Sequence, residues 1–395
     1  MKRILMDMKG EVHIAAMVEN DVIMDLIVES ARSRSLVGNI YIGIVKNILP
    51  NKFTFIDIGE SKNAFLDMGL KEKGVRNGSQ IIVQVMKDST GAKGTLVSTK
   101  LSIAGYMVVM LENGGNDVGV SGKIAQSGER KRLKKIGRKN LPKGFGVILR
   151  TGCVNKNEEM IKAEMEELAG IIKGIRKHGT HGKPPALLHS SNSILKELIR
   201  DDIDEIIVNN PNGIEKFQDE AELIPGFGDK VTTYEERLPL FDFYNVRQQW
   251  DETQHKMVWL PCGGFLIIDQ TEACAVIDVN TGRYQGNRNQ RESILKINAE
   301  AAVVAAHHIR LRNLSGMIII DFIDMREPED VQKLHSVFEN ELAKDRIRTN
   351  IVGMTELGLM QLTRKKTREP ISMILNHTCP MCGGAGNIPS GRYIT

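Results

Sequence analysis

The sequence is poor in several things at once. It carries five cysteines in 395 residues, two tryptophans and an aromatic share of only 5%. Cys153, Cys262, Cys274, Cys379 and Cys382 are an odd, scattered set with one close pair. That excludes a disulfide framework and fits a reducing compartment, the cytoplasm. No apolar run reaches the roughly 20 residues that a membrane helix requires. The opening MKRILMDMKGEVHIAAM has neither a sustained apolar core nor a small-residue cleavage site, so no signal peptide is expected. A strong excess of one charge is also missing, since 53 basic against 49 acidic side chains leave +4. Such a value permits an anionic partner without demanding one, because nucleic-acid binding depends on where cations cluster. What remains is a soluble globular composition, 41% hydrophobic and 26% charged. The chain is too long for one ordinary core, and about two to four domains are expected.

The chemistry-bearing stretch runs from Gly263 to Met325. Two apolar runs each carry an aspartate where a buried strand should continue: Asp278 in AVIDVN and Asp321 in MIIIDFIDM. Aspartate is depleted in strands, and an unpaired buried carboxylate is costly. Each could cap a turn or pair with a buried arginine. Two of them at the ends of similar strands, with Asn280 projecting from the same face as Asp278, shift the balance toward a site. Oxygen ligands of this kind suit magnesium or manganese better than zinc. Taken with the terminal HTCPMCGGAGN, the run IDVNTG…GMIIIDFIDM closely resembles the catalytic core of the ribonuclease E/G family, and the resemblance extends back to MKRILMD. It implies a magnesium-dependent endoribonuclease that hydrolyses single-stranded RNA to 5′-phosphate and 3′-hydroxyl ends, in RNA processing and decay (ribosomal RNA maturation, messenger turnover). Asp278 and Asp321 would hold the metal, with Asn280 in support. The rival class is a non-catalytic RNA-binding or assembly protein, against which the intact IDVN and IDFIDM motifs argue.

Upstream, residues 3 to 29 read as a β-meander. Five short strands with glycine turns then suggest a small barrel, whose spacing resembles the S1 version of the OB-fold. Such barrels bind single strands by stacking bases on aromatics beside a basic groove. Phe55, Phe65 and Lys93 match the family's RNA-contacting positions, against core packing as the ordinary use of either ring. Next, GERKRLKKIGRKNLPKG packs Arg130, Lys131, Arg132, Lys134, Lys135, Arg138 and Lys139 into one short run, usually a solvated helix face and also a source of non-specific attraction for phosphates. A strand FGVILRTG and an amphipathic helix with Ile161, Met165, Leu168, Ile171, Ile172 and Ile175 at helical spacing follow. The family has a sensor for the RNA 5′-monophosphate here. Arg150 and Thr151 match it, a backbone contact falls near Val108, and Arg348 matches a further arginine. A guanidinium fork with a hydroxyl suits a terminal phosphate. Where relatives carry a basic pair this chain has Gly122-Lys123, and a lysine cannot donate bidentately, so a weaker terminal-phosphate preference is expected. His307 and His308, mid-helix among alanines, read as packing residues.

Cys379-Pro380-Met381-Cys382 has zinc-knuckle spacing, and the following glycines disfavour the helix of a redox motif. A structural zinc takes four ligands, and two thiolates per chain make a site shared by two chains economical, as in the family's zinc-link. His377 stays open as a third ligand, and dimer against tetramer stays open too. The expected fold is a multidomain α/β chain. The resemblance divides it into a ribonuclease-H-like subdomain in two parts (1–36 and 190–255), an S1 RNA-binding domain (37–105), a 5′-phosphate sensor region (106–189), a DNase-I-like catalytic subdomain (256–376) and a zinc-link with the C-terminus (377–395).

Overall fold

Short apolar runs split by turn residues at the start of the chain build three antiparallel strands, β1 (Lys2–Asp7), β2 (Val12–Glu19) and β3 (Val22–Ser30), each with consecutive buried residues. Asn20 and Asp21 join the last two with φ of 49° and 63°, the left-handed pair that a tight hairpin needs. The computed structural model describes residues 1–30, 35–49, 53–67, 75–89, 94–179, 182–191, 194–199, 202–210, 214–222, 226–271, 273–283, 290–384 and 386. The chain forms two compact units, one of residues 1–33, 204–212 and 232–395, the other of residues 34–203 and 213–231.

In the second unit, β4 (Ile40–Ile48), β5 (Phe53–Asp57), β6 (Ala64–Asp67), β7 (Gln80–Lys87) and β8 (Leu96–Ser98) run in the order β4-β5-β6-β8-β7, and β4 also pairs with β7. The sheet therefore closes into a five-stranded barrel, consistent with an S1/OB-like fold. Tyr41, Ile56, Ala64, Leu66, Val83, Val85 and Val97 fill it. Gly43 lies where a Cβ would meet the Ile56 side chain at 2.5 Å and the Asp57 carbonyl at 2.8 Å, so the close approach of β4 to β5 requires glycine.

Beyond the barrel come β9 (Ser102–Ala104), β10 (Val108–Glu112), β11 (Val118–Val120), α1 (Ser127–Asn140), β12 (Phe145–Leu149) and α2 (Glu158–His178). The strands make a sheet in the order β11-β12-β10-β9, and both helices pack into its core. Asn157 caps α2 by accepting the Met160 N–H at 2.9 Å. On α1, Leu133, Ile136 and Gly137 are buried, whereas Lys131, Lys134, Lys135, Arg138 and Lys139 are exposed, the solvated face expected of that run. The strand β13 (Ala186–His189) adds to the barrel at β4. Two short helices, α3 (Ile194–Leu198) and α4 (Ile214–Glu222), complete this unit.

The first unit contains two sheets. In one, β14 (Glu205–Asn209) lies parallel to β1, and β15 (Val231–Thr233) extends the order to β15-β14-β1-β2-β3. The short helices α5 (Leu240–Phe243) and α6 (Arg247–Glu252) place Leu240, Phe241 and Trp250 in its core. The other sheet is built from β16 (Met257–Trp259), β17 (Phe265–Gln270), β18 (Cys274–Asn280), β19 (Gly316–Asp321), β20 (Thr349–Met354) and β21 (Leu359–Arg364), in the order β16-β17-β18-β19-β21-β20. The helix α7 (Gln290–Leu311) links the parallel pair β18 and β19, α8 (Pro328–Leu342) follows β19, and α9 (Ile371–Leu375) comes last. Ala301, Ala302, Ala305 and Ala306 are buried, and their small side chains let α7 lie close on the sheet. His308 is buried and His307 half-buried on α7, as packing residues would be. Arg364 pairs with Asp345 at 2.7 Å with both side chains almost fully buried, and it also reaches Asn313 and the Leu314 carbonyl. Those extra acceptors offset the desolvation that a buried ion pair costs. Among the described residues no helix is long and apolar enough to cross a membrane.

Candidate active site and nucleic-acid interface

The six-stranded sheet has two unlike faces. Leu266, Ile268, Ala275, Ile277, Ile318, Ile320 and Leu362 pack with α7 and α8. Residues between them in sequence project the other way, because side chains alternate along a strand. On that second face Asp278 and Asp321 are register partners on the parallel strands β18 and β19, and both are exposed. Neighbouring strands lie about 4.8 Å apart, so the two carboxylates meet at one place. Asn280 donates its Nδ2 to Asp278 Oδ2 at 2.7 Å, fixing that carboxylate and leaving its other oxygen available. Asp321 is the last residue of β19, and Asp324 lies beyond the strand end, exposed. Both aspartates sit toward the carboxyl ends of parallel strands, the edge at which α/β sheets bind ligands. Two open carboxylates leave most coordination positions to water, which fits the way magnesium is held.

On the barrel, Phe55 and Phe65 lie opposite each other on β5 and β6, with ring centroids 6.1 Å apart at 61°. Both are half-buried, while Thr54, Ile56, Ala64 and Leu66 between them are buried. The rings therefore form an outward-facing surface and are not part of the barrel core. A third ring belongs to it: Phe53, 4.9 Å from Phe65 and half-buried. Its signal was present in FTF, where residues two apart share a face. Lys93 lies outside the described residues.

In the four-stranded sheet, β11 and β12 run parallel, so Lys123, just past β11, and Arg150 with Thr151, just past β12, emerge at the same end. All three are exposed. Arg150 Nη1 donates to the Gly105 carbonyl, which anchors the guanidinium on one side. Val108 lies opposite Leu149 at that end, but it is fully buried. Its N–H donates to Glu164 Oε2 at 2.9 Å and its carbonyl accepts from the Gly105 N–H. Glu164 also accepts the N–H groups of Tyr106 and Met107 at 2.6 and 2.8 Å. Burial raises its carboxyl above the usual range, against three donors that favour the ionised form. A carboxylate inside the apolar stripe of α2, between Ile161 and Met165, was the sequence signal for this hub. Arg348 belongs to the other unit, where it is exposed and donates to Asn350 Oδ1 at 3.1 Å.

At the C-terminal end, Cys379 is exposed and Cys382 half-buried, with Cys382 Sγ accepting the Gly386 N–H at 3.4 Å. Gly383, Gly384 and Gly386 have φ of 57°, 87° and 70°, so the chain wraps tightly behind the second sulfur. This turn suits two thiolates of one tetrahedral zinc. Among the described residues no three His, Cys, Asp or Glu side chains gather into a cluster, and His377 is exposed. Cys153 is chemically remote from such use: burial pushes its thiol up to about 12.

A model of the ribonuclease E/G family matches residues 102–367. Ribonuclease G of Haemophilus influenzae is 36% identical over 405 residues, covering 94% of this chain and 81% of the relative. Ribonuclease G of Escherichia coli is 33% identical, again covering 94% of this chain and 81% of the relative. Ribonuclease E of Nostoc sp. is 33% identical over 95% of this chain, which spans 57% of that longer protein.

Proposed function

The chain belongs to the ribonuclease E/G family, and we propose that it is an endoribonuclease cutting single-stranded RNA at the sheet face that holds Asp278 and Asp321. The observation that carries this reading is their register pairing across two parallel strands, with both carboxylates open to solvent. The pair would hold a magnesium ion, which when bound supplies Lewis-acid stabilisation of a phosphoryl group and a more acidic water. The chain's own part is positional. The two strands set the spacing of the carboxylates, and Asn280 holds Asp278 in one orientation. Phe55, Phe65 and Phe53 would stack bases of the incoming strand, with Lys93 contacting phosphate. The products would be 5′-phosphate and 3′-hydroxyl ends, in ribosomal RNA maturation and messenger turnover in the cytoplasm. The test is cleavage of an end-labelled single strand with and without magnesium, with the new ends identified. Binding without cleavage in magnesium would favour a non-catalytic RNA-binding protein instead.

The rest of the architecture follows the same proposal. The sheet β15-β14-β1-β2-β3 would be the ribonuclease-H-like subdomain and the six-stranded sheet the DNase-I-like one. Arg150, Thr151 and Lys123 would recognise a 5′-monophosphate. Cys379 and Cys382 would share a zinc with a second chain, giving a homodimer.

A further inference from the structure

We infer that Trp259, with Phe265 and Arg283, forms a stacking subsite for one nucleobase of the RNA beside the carboxylate pair. Trp259 on β16 lies opposite Phe265 on β17, which lies opposite Asn280 on β18. Register partners share a face, so this row projects from the same side of the sheet as Asp278 and Asp321. Two strand spacings put the tryptophan backbone about 10 Å from that of Asn280, within reach of a nucleotide next to the cleaved linkage. The indole is 53% exposed although it is the largest apolar side chain and has a packed sheet within reach. Its ring meets Phe265 edge-on, with centroids 5.5 Å apart at 63°. The Arg283 guanidinium carbon lies 5.8 Å from the Trp259 ring centre, and the Arg283 N–H is tied to the Gly263 carbonyl at 2.9 Å.

An open indole braced by a second ring gives a base a π-surface, and base–aromatic stacking tolerates any base. The adjoining guanidinium supplies the positive charge that the base's own phosphate requires. That combination favours a nucleotide over a second copy of this chain, whose contact would call for a continuous apolar patch. On this face, polar Asp278, Asn280, Asp321 and Asp269 interrupt any such patch.

The inference rests on the proposed RNA cleavage, and its test separates the two. Only Trp250 and Trp259 fluoresce as indoles, and Trp250 is 6% exposed. Trp259 is therefore the solvent-facing reporter. A short single-stranded RNA, added to the full chain in buffer without magnesium, should quench the emission saturably, with binding followed in parallel by anisotropy of a label on the RNA. Trp259→Phe should lose the quench and keep most of the affinity, because a ring remains. Trp259→Ala should bind roughly 5- to 150-fold more weakly, the loss of one stacked base. RNA bound with unchanged tryptophan emission would overturn the subsite and leave the nuclease reading intact. No RNA binding at all would overturn both. Emission that changes with protein concentration alone, without RNA, would reassign the face to self-association and overturn the subsite.

Discussion

Asp278 and Asp321 occupy one rung of two parallel strands, and the rung before them, Ile277 and Ile320, is completely buried. A single residue step takes the sheet from dry core to open carboxylates, so the site is held by the packing beneath it. Asp278→Asn or Asp321→Asn changes an exposed atom and leaves that packing alone. Each should abolish cleavage in magnesium while RNA affinity stays within about twofold of the parent, because stacking and backbone contacts lie elsewhere. Asn280→Ala, which frees Asp278 to rotate, should slow cleavage by about 10- to 100-fold. Cleavage at near-parental rate by either aspartate variant would refute the metal-site assignment.

The three rings on the barrel give a graded outcome. Phe53→Ala, Phe55→Ala and Phe65→Ala should each weaken single-strand binding by about 1–3 kcal/mol. Their rings lie outside the cluster of Tyr41, Ile56, Leu66 and Val85 that fills the barrel, so thermal midpoints should move little. Loss of stability with affinity unchanged in the folded fraction would return the rings to a packing role.

Much of this was legible in the sequence because it is local. The meander, the barrel strands and α2 all follow from periodicity and turn chemistry. The two aspartates stood out because a charge breaks an apolar run. What periodicity does not carry is partnership between distant strands. That β8 inserts between β6 and β7, and that β19 is flanked by β18 and β21, are facts of topology. Register likewise decides that Trp259 and Asn280 share a row, although 20 residues separate them in sequence. The Glu164 hub has the same origin: it holds the Val108 amide from 56 positions away.

A pair of histidines makes stability depend on pH. His307 is pushed down to about 4 by burial, then by the charges of Arg310 and Lys344. His308 is held well below its ordinary value by burial, then by Arg312 and His307. The folded-state values lie below the unfolded value of about 6.5, so the unfolded chain takes the proton first. Stability is therefore lost as pH falls below about 6.5, through about 4 for His307, at up to ~1.4 kcal/mol per pH unit for each histidine. His307→Gln keeps an acceptor for Arg310, whose Nη2 lies 3.1 Å from His307 Nδ1, and should remove one histidine's share of that slope. Urea unfolding across this window checks it, and parallel profiles for parent and variant would contradict the assignment.

The cysteine pair carries the last expectation, which concerns assembly. Two thiolates in a tight glycine turn can fill half of a tetrahedral zinc site, and Cys153 is buried with its thiol pushed up to about 12. The remaining ligands are then supplied most simply by a second chain. Zinc content should be about half an equivalent per chain. Cys379→Ser with Cys382→Ser should remove the metal and convert dimers to monomers in light scattering. A thiol-directed alkylating agent applied after chelation should label Cys379 and Cys382 in the folded protein and reach Cys153 only on unfolding, since the thiolate is the reactive form. A monomeric knuckle completed by His377 predicts the opposite pattern: one zinc per chain, lost on His377→Ala, with no change of mass. A full equivalent of zinc on a monomeric parent would rule out the shared site.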